Sequence, residues 1–204
     1  MNNTKTIMLV GVGGQGTLLA SRVLGQLFLG SGYDVKVSEV HGMSQRGGSV
    51  VTYIRWGKCV NSPVINEGEA DYIISFELCE AARWSSHLKA DGTLITGSQQ
   101  ILPMPVITGA ATYPQNVEQT LKSICKNCLV LDALSPAVAL GNSKAVNMVL
   151  MGVLSRILDI DTTQWHAALA EAIKPSLLAL NMNAFEAGRA LYDTTVKGGC
   201  CNER

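Results

Sequence analysis

Apolar residues follow two alternating rhythms along this chain, and the alternation outlines an architecture. Residues 5–10, KTIMLV, form a short and nearly continuous apolar run, the pattern of a buried strand. Over 14–30, Ala20, Val23, Leu24, Leu27 and Phe28 recur at spacings that share one helix face, and Gly30 and Gly32 end that helix. VKVSEV (35–40) predicts a second strand. SVVTYIRW (49–56) alternates and is rich in β-branched and aromatic residues, so it predicts a third, with Gly57-Lys58 as a hairpin turn into CVNSPVI. DYIISF (71–76), GTLIT (92–96) and CLVLD (128–132) predict further strands. Helices are expected from the end of DYIISF to about Leu88 and near 115–126. The prolines of PMPVITG (103–109) point to an edge strand or an extended loop. After Asp132 the pattern is helical, over 136–141, 144–158, 162–173 and 176–192, with Asp161-Thr162 and Ser176 as N-caps of the last two.

Alternating strands and helices predict an α/β fold: a three-layer, mostly parallel, doubly wound (Rossmann-like) sheet with a β-hairpin insertion and a helical C-terminal part. One domain is expected over 1–193, followed by a flexible tail at 194–204.

Composition narrows the function classes. Hydrophobic residues make up 47% of the chain and charged ones 16%, a globular balance. Lys and Arg number 16 against 16 Asp and Glu, without a basic cluster, so nothing draws nucleic acid. No apolar run reaches the roughly 18 residues of a membrane span. The longest, AVNMVLMGVL (145–154), contains Asn147. The N-terminus runs into a strand without a signal-peptide layout, so a cytoplasmic location is expected, with the six cysteines reduced. Cys125 and Cys128 form a CxxC that no second pair or nearby histidine completes, which favours a structural role.

The chemistry concentrates in two glycine-rich stretches. In GVGGQG (11–16), Gly11, Gly13 and Gly16 satisfy the dinucleotide fingerprint between a strand and a helix, and Glu39 stands where such a site has its ribose-binding acid. The additional glycine, the glutamine within the turn and the unusual loop HGMSQRGG (41–48) argue against that reading. If the first two strands are neighbours, the two loops lie side by side at one sheet edge. They would then gather the backbone N–H groups of Gly13, Gly14 and Gly16 with Gln15, His41, Ser44, Gln45 and the cation of Arg46. Gly47-Gly48 permits unusual backbone angles or the close approach of another chain. Such a surface suits a diphosphate or a carboxylate. A tight turn with a solvated arginine is the bland alternative. His41 is a candidate proton carrier, against the weightier reading of a hydrogen-bonded loop histidine. Glu77 and Glu80 fall in the first turn of a helix, where its dipole favours them. His87 and His166 read as surface or packing residues, and Asn147 as bonded to a neighbouring element or a partner. Ser135, near Asp132, has no histidine for a hydrolase triad.

G-x-G-G-Q-G followed by E-x-H-G-M-S-Q-R-G-G-S-V resembles the gamma module of the 2-oxoacid:ferredoxin oxidoreductases. The resemblance extends through EADYIISFELCEAAR (69–83), NSKAVNMVLMG (142–152) and NMNAFEAG (181–188), and so covers nearly the whole chain. It implies a complex that oxidatively decarboxylates a 2-oxoacid on thiamine diphosphate, passes single electrons through iron–sulfur clusters to ferredoxin, and transfers the acyl group to coenzyme A. Within the family, the arylpyruvate branch acting on indolepyruvate is the nearest likeness. Branches acting on pyruvate, 2-oxoglutarate or branched-chain 2-oxoacids are the alternatives.

The resemblance further implies that this chain binds no cofactor alone and is inactive alone. Thiamine diphosphate, Mg and [4Fe–4S] clusters belong on a larger partner subunit, with coenzyme A as co-substrate. The glycine edge, comprising Gly13, Gly14, Gln15, Gly16, Ser44, Gln45, Arg46, Gly47 and Gly48, would touch coenzyme A or close over the partner's active site. The sequence agrees in lacking closely spaced cysteines for a cluster and a Gly-Asp-Gly diphosphate motif in the right context. An autonomous NAD(P)-binding module is the reading from another class, and a purely structural subunit is a third.

Overall fold

In the computed structural model, which describes residues 4–39 and 47–197, the first apolar run becomes β1 (Lys5–Val12). Its residues Ile7 to Val10 are fully buried, and successive side chains enter opposite cores. The chain continues as α1 (Thr17–Gly30), β2 (Asp34–Glu39), β3 (Ser49–Gly57), β4 (Ala70–Ser75), α2 (Leu78–Trp84) and β5 (Leu88–Gly97). Then come α3 (Met104–Ile107), α4 (Val117–Ile124), β6 (Asn127–Leu131), α5 (Leu134–Ala139), α6 (Val146–Ile157), α7 (Thr162–Ala172) and α8 (Pro175–Tyr192).

The six strands form one sheet in the order β2-β3-β1-β4-β5-β6. β1, β4, β5 and β6 pair in parallel, while β3 runs antiparallel to both β1 and β2. The α/β class, the largely parallel sheet and the helical C-terminal part are as the sequence predicts.

Strand adjacency differs in detail. β1 and β2 are not neighbours, because β3 lies between them. β3 is long and largely buried, and it suits an interior position. β2 exposes Lys36 and Val37, as an edge strand does. The hairpin differs too: Gly57-Lys58 does not turn into a strand at 59–65. Residues 58–69 form a loop plugged by Val60 and Ile65 and tied by Arg55 to the Val64 carbonyl at 2.7 Å. β3 finds its antiparallel partners in β1 and β2 instead.

Ile7, Leu9, Ile54, Trp56 and Ile74 face the core shared with α1, α6, α7 and α8, where Phe28 stacks on Trp56 with ring centroids 4.0 Å apart. Met8, Val10, Val51, Ile73 and Leu94 face the smaller core beneath α2 and α4. α6 and α8 cross at Gly152 and Gly188, where a Cβ on either residue would overlap a backbone carbonyl of the other helix.

Two local expectations are corrected. PMPVITG forms the short helix α3, not an extended segment, because Pro103 sits at the N-cap and Pro105 in the first turn, where no backbone donor is needed. α8 begins at Pro175 with Lys174 as N-cap, so Ser176 lies inside it. Asp161 does cap α7, accepting from the Thr163 amide at 2.7 Å.

Candidate functional site

β1 ends at Val12, and the chain turns through Gly13 to Gly16 into α1. Gly14 (φ 102°) and Gly16 (φ 83°) adopt left-handed angles that side chains resist. Gly16 is the N-cap of α1. No side chain caps that end, and its first turn holds no acid. The positive end of a 14-residue helix is therefore uncompensated by its own sequence.

The chain leaves β1 towards the β2 edge and leaves β4 towards β5. The point where an open sheet binds ligands thus lies between β1 and β4. Gln15 fills it. Its side-chain carbonyl accepts from the Val12 amide at 2.8 Å, and its NH2 donates to the Phe76 carbonyl at 2.8 Å. A Cβ on Gly11 would press on the Gln15 oxygen at 2.8 Å and on the Phe76 ring at 3.2 Å, so glycine at 11 makes room for this plug. Gln15 is an internal fastener, not an outward-facing ligand. Glu39 lies on edge strand β2 and accepts from Ser21 of α1 at 2.6 Å. A filled crevice and an acid two strands removed from β1 do not make a dinucleotide site.

The two glycine-rich stretches do meet. The Gly13 amide donates to the Gly48 carbonyl at 2.8 Å, and Val12 pairs with Ser49. Contact comes through β3 returning alongside β1, not through adjacent first and second strands. Gly47 also has a left-handed angle (φ 97°). Ser49 donates to the nearly buried Glu80 carboxylate, which also accepts from Arg83 at 3.1 Å, so the start of β3 is anchored to α2. His41, Ser44, Gln45 and Arg46 lie outside the described residues.

Gly13, Gly14, Gly16 and Thr17 line one side of a hollow of about 260 Å³, with Val50 to Thr52 opposite. Larger hollows of about 430 and 490 Å³ lie beside Glu39 and at the end of α6, away from the turn. The turn offers N–H donors and a helix dipole to an anion, and β3 lines the opposite side of the hollow from Val50 to Thr52.

In the sequence Asn147 is legible only as a polar residue in an apolar helix. It is 3% exposed, and its amide donates to the Gly16 carbonyl at 3.1 Å. α6 thereby holds the glycine turn from beneath. Glu77 is 1% exposed and caps α2, accepting from the Glu80 amide at 2.8 Å, the Ile101 amide at 3.2 Å and the Tyr113 hydroxyl at 2.5 Å. Burial and the Glu77 carboxylate push the Tyr113 phenol well above its ordinary range.

The remaining candidates take structural roles. Burial pushes the Cys128 thiol up to about 11, with Cys125 beside it, and burial raises Cys125 too, so neither is a ready thiolate. Asp132 accepts from Ser135 at 2.5 Å as a turn cap. His166 pairs with Glu186 on the surface at 2.7 Å, and His87 stands edge-on to Trp84. Among the described residues no group of three His, Cys, Asp or Glu could hold a metal, and no helix is long and apolar enough to cross a membrane.

A sequence model of the family described as "Pyruvate ferredoxin/flavodoxin oxidoreductase" matches residues 6–191. The chain is 40% identical over 189 residues to "Indolepyruvate oxidoreductase subunit IorB" of Thermococcus kodakarensis, covering 89% of this chain and 93% of that one. The protein of the same name from Archaeoglobus fulgidus is 33% identical over 196 residues, covering 94% and 96%. Among solved structures, the gamma subunit of a keto/oxoacid ferredoxin oxidoreductase from Geobacter sulfurreducens superposes with a TM-score of 0.66 at 18% identity, over 92% of this chain and 98% of that one. The 2-oxoglutarate:ferredoxin oxidoreductase from Magnetococcus marinus, solved with 2-oxoglutarate, coenzyme A and succinyl-CoA bound, superposes with a TM-score of 0.70 at 16% identity. There the match takes up 95% of this chain and 32% of that one.

Proposed function

The chain belongs to the pyruvate ferredoxin/flavodoxin oxidoreductase family, and from that premise we propose that it is the smaller subunit of an indolepyruvate (arylpyruvate):ferredoxin oxidoreductase. It is a subunit of a 2-oxoacid:ferredoxin oxidoreductase. An arylpyruvate as substrate is supported by 40% identity to an indolepyruvate enzyme's subunit, against 16% for the structural relative named for 2-oxoglutarate. Thiamine diphosphate, Mg and [4Fe–4S] clusters are carried by a larger partner subunit in this proposal, with ferredoxin as acceptor and the cytoplasm as location.

The observation that carries the role of this chain is the uncapped N-terminus of α1 beside an exposed Gly14. The Gly13 and Gln15 amides are taken by the Gly48 and Val12 carbonyls, so in this proposal the donors offered to a ligand are those of Gly14, Gly16 and the first turn of α1, at the mouth of the hollow beside β3. A diphosphate is the group such an edge receives, and coenzyme A supplies one. In this proposal Arg46, next in sequence to Gly47, adds the cation. The chain's part is then to bind and orient coenzyme A and to exclude water at the shared site.

Two measurements test this. In the anaerobically assembled complex, Arg46→Ala should raise KM for coenzyme A at least tenfold while leaving KM for indolepyruvate within twofold; full activity with unchanged coenzyme A affinity removes Arg46 from that role. In titration calorimetry the isolated chain should give no NAD or NADP binding up to millimolar nucleotide. One-to-one binding at micromolar concentration would restore the dinucleotide reading.

A further inference from the structure

Residues 98–116, SQQILPMPVITGAATYPQN, contain no Asp, Glu, Lys, Arg or His. Within them Leu102, Met104 and Ile107 are 48, 66 and 62% exposed. Single exposed apolar side chains are ordinary. Three within six positions, with Met104 and Ile107 one helical turn apart and no charge nearby in sequence, make a patch that water disfavours.

The segment is not slack. Ile107 and Thr108 bond back to Pro103 and Met104, and the Ala111 amide donates to the Pro105 carbonyl at 3.0 Å. Its two ends are drawn together on one atom. The Ile101 amide and the Tyr113 hydroxyl both donate to the same oxygen of Glu77. Burying a carboxylate is costly unless donors surround it, and here three converge. The fold thus accepts a buried acid to hold an exposed apolar loop in one shape. A preformed loop loses less freedom on binding than a mobile one.

We propose that loop 101–113 is a preformed docking element for the larger subunit, seated against an uncharged, apolar surface of that subunit. The absence of charge from 98 to 116 sets the chemistry of the partner face. A charged group pressed against this segment would lose its hydration and find no counter-charge there. The choice of the larger subunit rests on the function proposed above. In the Magnetococcus marinus protein this fold is about a third of a longer chain, whereas the curated relatives of this length are named as subunits, so a separate chain must hold its neighbour without a covalent link. The location fits the site as well. Gln15 grips Phe76, and the next residue, Glu77, grips the loop, so docking there sets the glycine turn against the same partner.

The test is assembly of the purified chain with the larger subunit encoded by the same organism, followed by sedimentation velocity and titration calorimetry. Met104→Glu and Ile107→Glu should each weaken association at least tenfold while the isolated variants keep the wild-type circular dichroism and thermal midpoint. Leu177→Glu, at a 48% exposed position on α8, should bind as wild type does. If wild type does not assemble with that subunit, the functional reading itself fails. If wild type assembles and the two loop variants assemble equally well, or Leu177→Glu loses as much, the docking proposal is overturned and the functional reading stands. Wild-type chain that self-associates through this loop, with dimers lost in Met104→Glu, would make a second copy the occupant and overturn the proposal likewise.

Discussion

Gly188→Ala should cost the domain about 4 kcal/mol, at the upper end of what one added methyl group does in a packed interior. At Gly188 a Cβ would overlap the Val149 carbonyl of α6, and at Gly152 the reciprocal Cβ would overlap the Phe185 carbonyl of α8. These neighbours are backbone, which cannot rotate away. Nor can α6 retreat, since its residues from Val146 to Ser155 are all buried. The helices must separate along their length and open voids on both sides. For a chain of this size each kcal/mol shifts the thermal midpoint by about 2–4 °C, so a fall of roughly 8–16 °C is expected. Gly25→Ala is the paired control. Gly25 is helical, and a Cβ there would meet nothing within 4 Å, so alanine should raise stability by about 0.5–1 kcal/mol. Urea or thermal unfolding of both variants decides it: a Gly188→Ala midpoint within 3 °C of wild type would mean that the two helices do not meet as described.

Gln15→Glu should be nearly as damaging, despite equal size. One carboxylate oxygen can still accept from Val12, but the other replaces a donor and faces the Phe76 carbonyl, acceptor against acceptor. Losing a half-buried hydrogen bond and adding that repulsion costs about 2–3 kcal/mol. The pH dependence has a defined sign. The folded site disfavours the ionised form, so the introduced carboxyl has a higher pKa folded than unfolded. The penalty is therefore absent below its unfolded value, about 4.3, and grows as pH rises through the folded one. Below that range the protonated acid can donate to Phe76 as the amide does. The difference in unfolding free energy between variant and wild type, measured from pH 4 to 8, should widen with pH; a constant gap would mean that the Phe76 contact does not discriminate donor from acceptor.

Much of the fold is legible in the sequence because periodicity is local. The runs at 5–10 and 71–76 and the helical spacing over 14–30 each report their own burial, and all form the predicted elements. Pairing is not local. Nothing in SVVTYIRW states that it lies between the first two strands, running against both. The two glycine stretches do meet, but not for the reason the sequence offers: it predicts adjacent first and second strands, and it is the antiparallel return of β3 that brings Gly48 to Gly13. At PMPVITG, proline excludes a strand interior but fits a helix start equally well, and the sequence does not choose. Gln15 is visible as an oddity in a glycine turn, yet its inward direction depends on Phe76, 61 positions away. Asn147 and Glu77 carry the usual mark of polar groups in apolar company, but their partners, Gly16, Ile101 and Tyr113, are named only by the tertiary fold.

The crossing of α6 and α8 has a consequence for synthesis. The ribosome delivers α6, with ten consecutive buried residues, before the helix that covers it. Until Pro175–Tyr192 emerge, the face of α6 that packs on α8 has no cover, and the core shared with α1 and α7 cannot close. Folding of this half is therefore post-synthetic relative to α6, and a ribosome stalled between the two helices would display a sticky intermediate for chaperones to hold.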